Sequence, residues 1–139
     1  MIKMKIFICC SKTFYDHIPE IKDQLEHAGH VITLPNSFDD PTKESQMHQK
    51  GVEHHSKWKA SMLRAQAQKI QANDAILVLN FIKNGQPNYI GGATFLEMYK
   101  AFELGKKIFL YNDIPGGILR DEILAFEPTL IQRDLAKIN

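Results

Sequence analysis

Glu97 closes the run Gly91-Gly92-Ala93-Thr94-Phe95-Leu96, which follows an apolar segment and a polar loop. This spacing predicts a helix start with the glutamate on its first turn, beside backbone N–H groups able to hold an anion. A carboxylate in that position suits chemistry on a phosphorylated or sugar-like ligand. Gly91 and Gly92 permit close backbone approach, Thr94 and Ser11 offer hydroxyls, and Lys12 adds charge, so a phosphate fits the same helix start. Each feature alone has an ordinary role. A first-turn glutamate commonly complements the helix dipole, and paired glycines commonly make a turn. Their combination carries the information.

The elements that must position these residues follow from the hydrophobic pattern. Lys5–Cys9 reads as a buried strand, and residues 15–28 carry Ile18, Ile21, Leu25 and Ala28 at helical spacing, with Gly29 closing the helix. Residues 31–34 form a short strand ended by Pro35-Asn36, and residues 36–53, polar and weakly patterned, predict a mobile flap. A polar helix over 58–71, a continuous apolar strand over 75–79, a helix over 93–104 stopped by Gly105, and a strand over 107–111 come next. A last helix covers 120–126, and an extended piece 129–131. Such alternation predicts one doubly wound α/β domain over 1–139, with a parallel five-stranded sheet in the flavodoxin-like, Rossmann-like order 2-1-3-4-5. In that order ligands sit beyond the carboxyl ends of the strands, at the switch point between the first and third. The loop Cys10-Ser11-Lys12-Thr13-Phe14, the loop from Asn80 and the helix start at Gly91 then surround one crevice with Glu97. By residue type and placement, Phe14, Tyr89 and Tyr99 are candidates to stack a base.

Three stretches resemble the nucleoside 2-deoxyribosyltransferase family: Ala72-Asn73-Asp74-Ala75-Ile76-Leu77-Val78-Leu79-Asn80, the run from Asn88 through Met98, and Ala101-Phe102-Glu103-Leu104-Gly105-Lys106. The opening Ile6-Phe7-Ile8-Cys9-Cys10-Ser11 is similar to the first strand and loop of related deoxynucleoside 5′-monophosphate N-glycosidases. The resemblance implies that Glu97 attacks the anomeric carbon of a deoxyribosyl group, giving a glycosyl ester that a base or water resolves. Such a nucleophile must be ionised, which a helix start favours. Asp74 matches a family aspartate that hydrogen-bonds or protonates the departing base; at the start of its strand, its side chain could instead point away from the crevice. The resemblance further implies a small nucleoside or nucleotide substrate, no cofactor, and a homodimer or higher oligomer that completes its site across subunits. Two departures stand out. Gly91 occupies the position of the transferases' aspartate six residues before the nucleophile, and Tyr99 stands where the family favours glycine. The Gly-Gly start tilts the expectation toward hydrolysis of a monophosphate over transfer. A non-catalytic nucleotide sensor is the competing class, and a protein-interaction module a third.

Composition bounds the remainder. The 139 residues are 44% hydrophobic and 24% charged, with a net charge of +1, which leaves no global field for gripping nucleic acid. The basic stretch Lys57, Lys59, Arg64 and Lys69 around Trp58 reads as a solvated helix face, with Trp58 anchoring the helix or a subunit contact. The apolar runs are short of a membrane span and the start lacks the apolar core of a signal peptide, so the expectation is a cytoplasmic protein without membrane partners. Cys9 and Cys10 are adjacent on a strand and point to opposite faces, an arrangement for reduced thiols. His48, His54 and His55 lie close in sequence, yet no carboxylate cluster nearby completes a ligand set, so no metal site is expected.

Overall fold

A computed structural model describes residues 3–139. Its elements, in chain order, are β1 (Lys5–Cys9), α1 (Ile18–His27), β2 (Val31–Thr33), α2 (Lys43–Gln49), α3 (Val52–Ala72), β3 (Ala75–Val78), α4 (Gly92–Glu103), β4 (Lys107–Leu110), α5 (Arg120–Ala125) and β5 (Thr129–Leu130). The five strands form one sheet, every pair parallel, in the order β2-β1-β3-β4-β5. This is the expected α/β fold and strand order. β3 runs Ala-Ile-Leu-Val with every residue buried, because a parallel strand between two helical layers has no solvated face.

Strand alternation divides the core in two. Ile6, Ile8 and Leu77 point to one face, under Ile18, Ile21 and Leu25 of α1, while Phe7, Cys9, Ile76 and Val78 point to the other, against Ile70 of α3, Met98 and Ala101 of α4 and Ile123 of α5. Cys9 belongs to the second layer and Cys10 packs on the first, so the two free thiols diverge as expected. No helix among the described residues is long and apolar enough to cross a membrane.

Three elements differ from the sequence expectation, each for a local reason. The helix expected over 15–28 starts at Ile18, and Lys12–His17 wind as a 3₁₀ helix capped by Ser11 Oγ, which accepts from Thr13 N at 3.4 Å. Pro19 has no N–H to extend α-type bonding backwards. The stretch expected as a flap folds into α2 and the first turns of α3. Nothing in α2 is buried, and 52–54 are exposed, so neither segment carries an apolar stripe that periodicity could detect. Finally, Glu97 lies sixth in α4, on its second turn instead of its first. The influence of the helix dipole falls off within the first turn, so it is not what sets the ionisation of Glu97.

Candidate functional site

The carboxyl ends of β1 and β3 open into a crevice of about 290 Å³. Its floor is set by α4. Gly91 caps that helix with no side-chain bond to the first N–H groups, and Gly92 and Thr94 follow along the wall. Gly91 leaves room for Tyr89: a β-carbon there would meet the Tyr89 hydroxyl at 3.2 Å and its ring at 3.4 Å, so the ring would have to give by a few tenths of an ångström. A β-carbon on Gly92 would meet no atom within 4 Å, so the space in front of it belongs to the crevice.

Glu97 lines this crevice while being only 7% exposed. Burial raises its carboxyl pKa to about 8, and hydrogen bonding with Cys9 and the charges of Lys69 and Lys59 only partly oppose that rise. The group is therefore mostly neutral at pH 7, which corrects the expectation of a carboxylate held ionised by a helix start. Burial and the nearby Glu97 also push the Cys10 thiol up to about 12, so Cys10 lines the crevice as a neutral thiol. Burial and the adjacent acidic groups likewise raise the Tyr15 phenol, leaving it a neutral O–H donor on the same wall.

The opposite wall comes from α3 and from the stretch expected as a mobile flap. Glu44 of α2 reaches Lys12 at 3.2 Å, Lys59 of α3 at 3.2 Å, and the His55 ring nitrogen at 3.0 Å. Burial works against the Glu44 carboxylate, but the bonds from His55, Lys12 and Lys59 outweigh it and hold its pKa down at about 2. Asn36, Ser37, Trp58, Lys59 and Glu44 thus wall the crevice within a single chain.

Of the residues assigned to the site on sequence, Cys10, Ser11, Lys12, Tyr89, Gly91, Gly92, Thr94 and Glu97 come together here. Three do not. Asp74 stands at the amino end of β3, across the sheet from the crevice, where its carboxylate accepts the Lys5 N–H at 2.8 Å. In a parallel sheet a residue at a strand start cannot reach the carboxyl-end crevice, so Asp74 is an anchor between the amino ends of the inner strands β1 and β3 and not a partner of the leaving base. Asp74→Asn should leave ligand binding unchanged and cost about 1 kcal/mol of stability in a urea titration. A variant that keeps its stability but loses binding would return Asp74 to the site. Phe14 is 2% exposed and packs edge-on to Phe81 and Tyr89, with ring centroids at 5.4 and 6.4 Å, so it has no face free for a base. Asn80 is fully buried and ties β3 to the segment after β4: its Nδ2 donates to Asp113 O and its Oδ1 accepts from Asn112 N, both at 2.8 Å.

Tyr99 is also displaced, on the outer side of α4 near Phe126. Trp58, expected to anchor the helix or a subunit contact, lines the crevice. Tyr15, Glu44, Lys59 and Lys83 were missed because no local pattern marks a side chain brought in by tertiary packing. The basic stretch disperses: Lys57 pairs with Glu53, Lys59 with Glu44, and Lys69 donates to Leu34 O. The histidines gain the carboxylate that sequence spacing could not supply. One ligand atom each from Glu44, His48 and His55 lie within 4.8 Å of one another, yet both Glu44 oxygens already face ammonium groups and the two imidazoles stack at 3.6 Å. That cluster reads as a clasp between α2 and α3.

No protein-family model matches the chain, and no curated protein matches it.

Proposed function

We propose that this crevice binds a nucleoside or nucleoside 5′-monophosphate and that Glu97 acts on its N-glycosidic bond. The observation that carries the reading is a single buried carboxyl opening onto a strand-end crevice, with a pKa near neutral pH. Strongly perturbed groups in clefts are candidate catalytic groups, and a carboxyl that titrates near working pH exists in both the forms that acid and base steps need. The motif resemblance from Asp74 to Lys106 supports the same reading.

In this mechanism the ionised fraction of Glu97 attacks C1′ as the bond to the base breaks. The base leaves with the bonding electrons and takes up a proton, for which the Tyr15 phenol is the neutral donor on the wall. The glycosyl ester is then opened by water in hydrolysis, or by a second base in transfer, whose proton returns to the Tyr15 oxygen as the carboxylate is released, restoring both groups. Trp58 and Tyr89 offer rings against which a base can stack. A cytoplasmic location and a homo-oligomer remain parts of this proposal.

The displacement of Asp74 favours a second reading. With that acid absent from the crevice, the site lacks the group that serves the leaving base in the family, as suits a nucleotide-binding sensor. Chromatographic detection of free base after incubation with a panel of deoxynucleosides and their 5′-monophosphates separates the two. Base release that depends on Glu97 supports the enzyme. Saturable binding without release, unaffected by Glu97→Ala, supports the sensor.

A further inference from the structure

The crevice is lined by three lysines, and their partners set one apart. Lys12 and Lys59 each lie 3.2 Å from the Glu44 carboxylate, so their charges are offset inside the fold. Lys83 has no carboxylate within ion-pair distance among the described residues. Its ammonium instead sits 3.4 Å from Ser11 Oγ and 4.7 Å from the centre of the Tyr89 ring.

A tight turn holds it there. Lys83 and Gln86 exchange both backbone hydrogen bonds, at 3.0 and 2.9 Å. The residues between them, Asn84 at φ 49° and Gly85 at φ 77°, supply the two left-handed positions that a type I′ turn needs. Asn and Gly are the residues that reach this conformation at least cost. The base of the Lys83 side chain is therefore fixed, and Tyr89, seated on Gly91, fixes the surface beneath its charge.

A half-buried ammonium resting on a ring face and a hydroxyl has lost hydration without gaining a counter-ion, and an arriving anion restores the balance. Near pH 7 the wall carries three lysines against one ionised carboxylate, an excess that suits the charge of about −1.5 to −2 on a phosphate monoester. We propose that Lys83 and Ser11 form the subsite for the phosphate of a sugar phosphate or nucleoside monophosphate, and that Lys12 fastens the crevice wall through Glu44. Only the nucleoside half of the ligand rests on the N-glycosidic reading above; the phosphate half stands on the arrangement of charge.

The test compares binding of 2-deoxyribose 5-phosphate and of 2-deoxyribose by calorimetry, which avoids any choice of base. The wild type should prefer the phosphate by at least tenfold. Lys83→Met should weaken the sugar phosphate by about 10–100-fold, the equivalent of one charge-assisted hydrogen bond, with little change for the free sugar. Lys83→Arg should keep most of the preference, and Lys12→Met should shift both ligands alike. A wild type without preference, or a Lys83→Met variant that loses both ligands equally or neither, overturns the subsite. Assaying base release in parallel separates the two ideas. Phosphate preference through Lys83 with no base release sinks the reaction and keeps the subsite, whereas Glu97-dependent release without the preference does the reverse.

Discussion

Glu97→Gln should lower base release by roughly 10³-fold or more while folding and ligand binding stay close to wild type. Glutamine matches the neutral form that burial favours, so the substitution removes the reacting charge without disturbing what the crevice holds at pH 7. The pH profile makes the prediction sharper. If the attacking group titrates at about 8, kcat/KM of the wild type should climb about tenfold per pH unit below that value and level off above it. A profile already flat from pH 5 to 9 would mean that Glu97 is not the nucleophile. Stability should run the other way. The folded pKa lies above the ordinary value of 4.5, so this contribution is complete below pH 4.5 and disappears as pH rises through about 8. The loss is at most about 1.4 kcal/mol per pH unit, and the glutamine variant should not show it in denaturant titrations across that range.

Glu44→Ala should cost about 2 kcal/mol at pH 7 and lower Tm by roughly 5–10 °C. It leaves Lys12, Lys59 and His55 facing one another without the carboxylate that joins them. Because the folded pKa of Glu44 lies near 2, below the ordinary 4.5, its contribution is present above pH 4.5 and fades as pH falls toward 2. The gap in Tm between wild type and variant should close over that acid range. A gap that persisted unchanged would assign the loss to packing of α2 on α3 instead of charge.

Glu44 also marks where sequence reading stops. β1 and β3 were legible because a buried parallel strand needs an unbroken apolar run, and the position of the crevice followed from strand order alone. The Gly91-Gly92 start was legible because the glycines and the helical pattern after them meet at one point. α2 was not, since it buries no residue and earns its place by reaching lysines distant in the chain. Asp74 was misassigned for a geometric reason: its neighbours match the family motif, but direction along the strand, not sequence proximity to Asn80, decides which end of the sheet it serves. The ionisation of Glu97 depends on how deeply the folded chain buries it, which no helix-start pattern encodes.

The outermost strands are brief, with three residues in β2 and two in β5. A native sheet with such edges offers another chain almost no ladder to extend, whereas the inner strands are unbroken apolar segments that would template readily once exposed. Aggregation of this protein should therefore start from opened molecules, and its rate in solution should follow the unfolded population. Storage conditions can be chosen on that basis: a mildly acidic buffer, where Glu97 keeps its proton and Glu44 has not yet gained one, should give the longest shelf life.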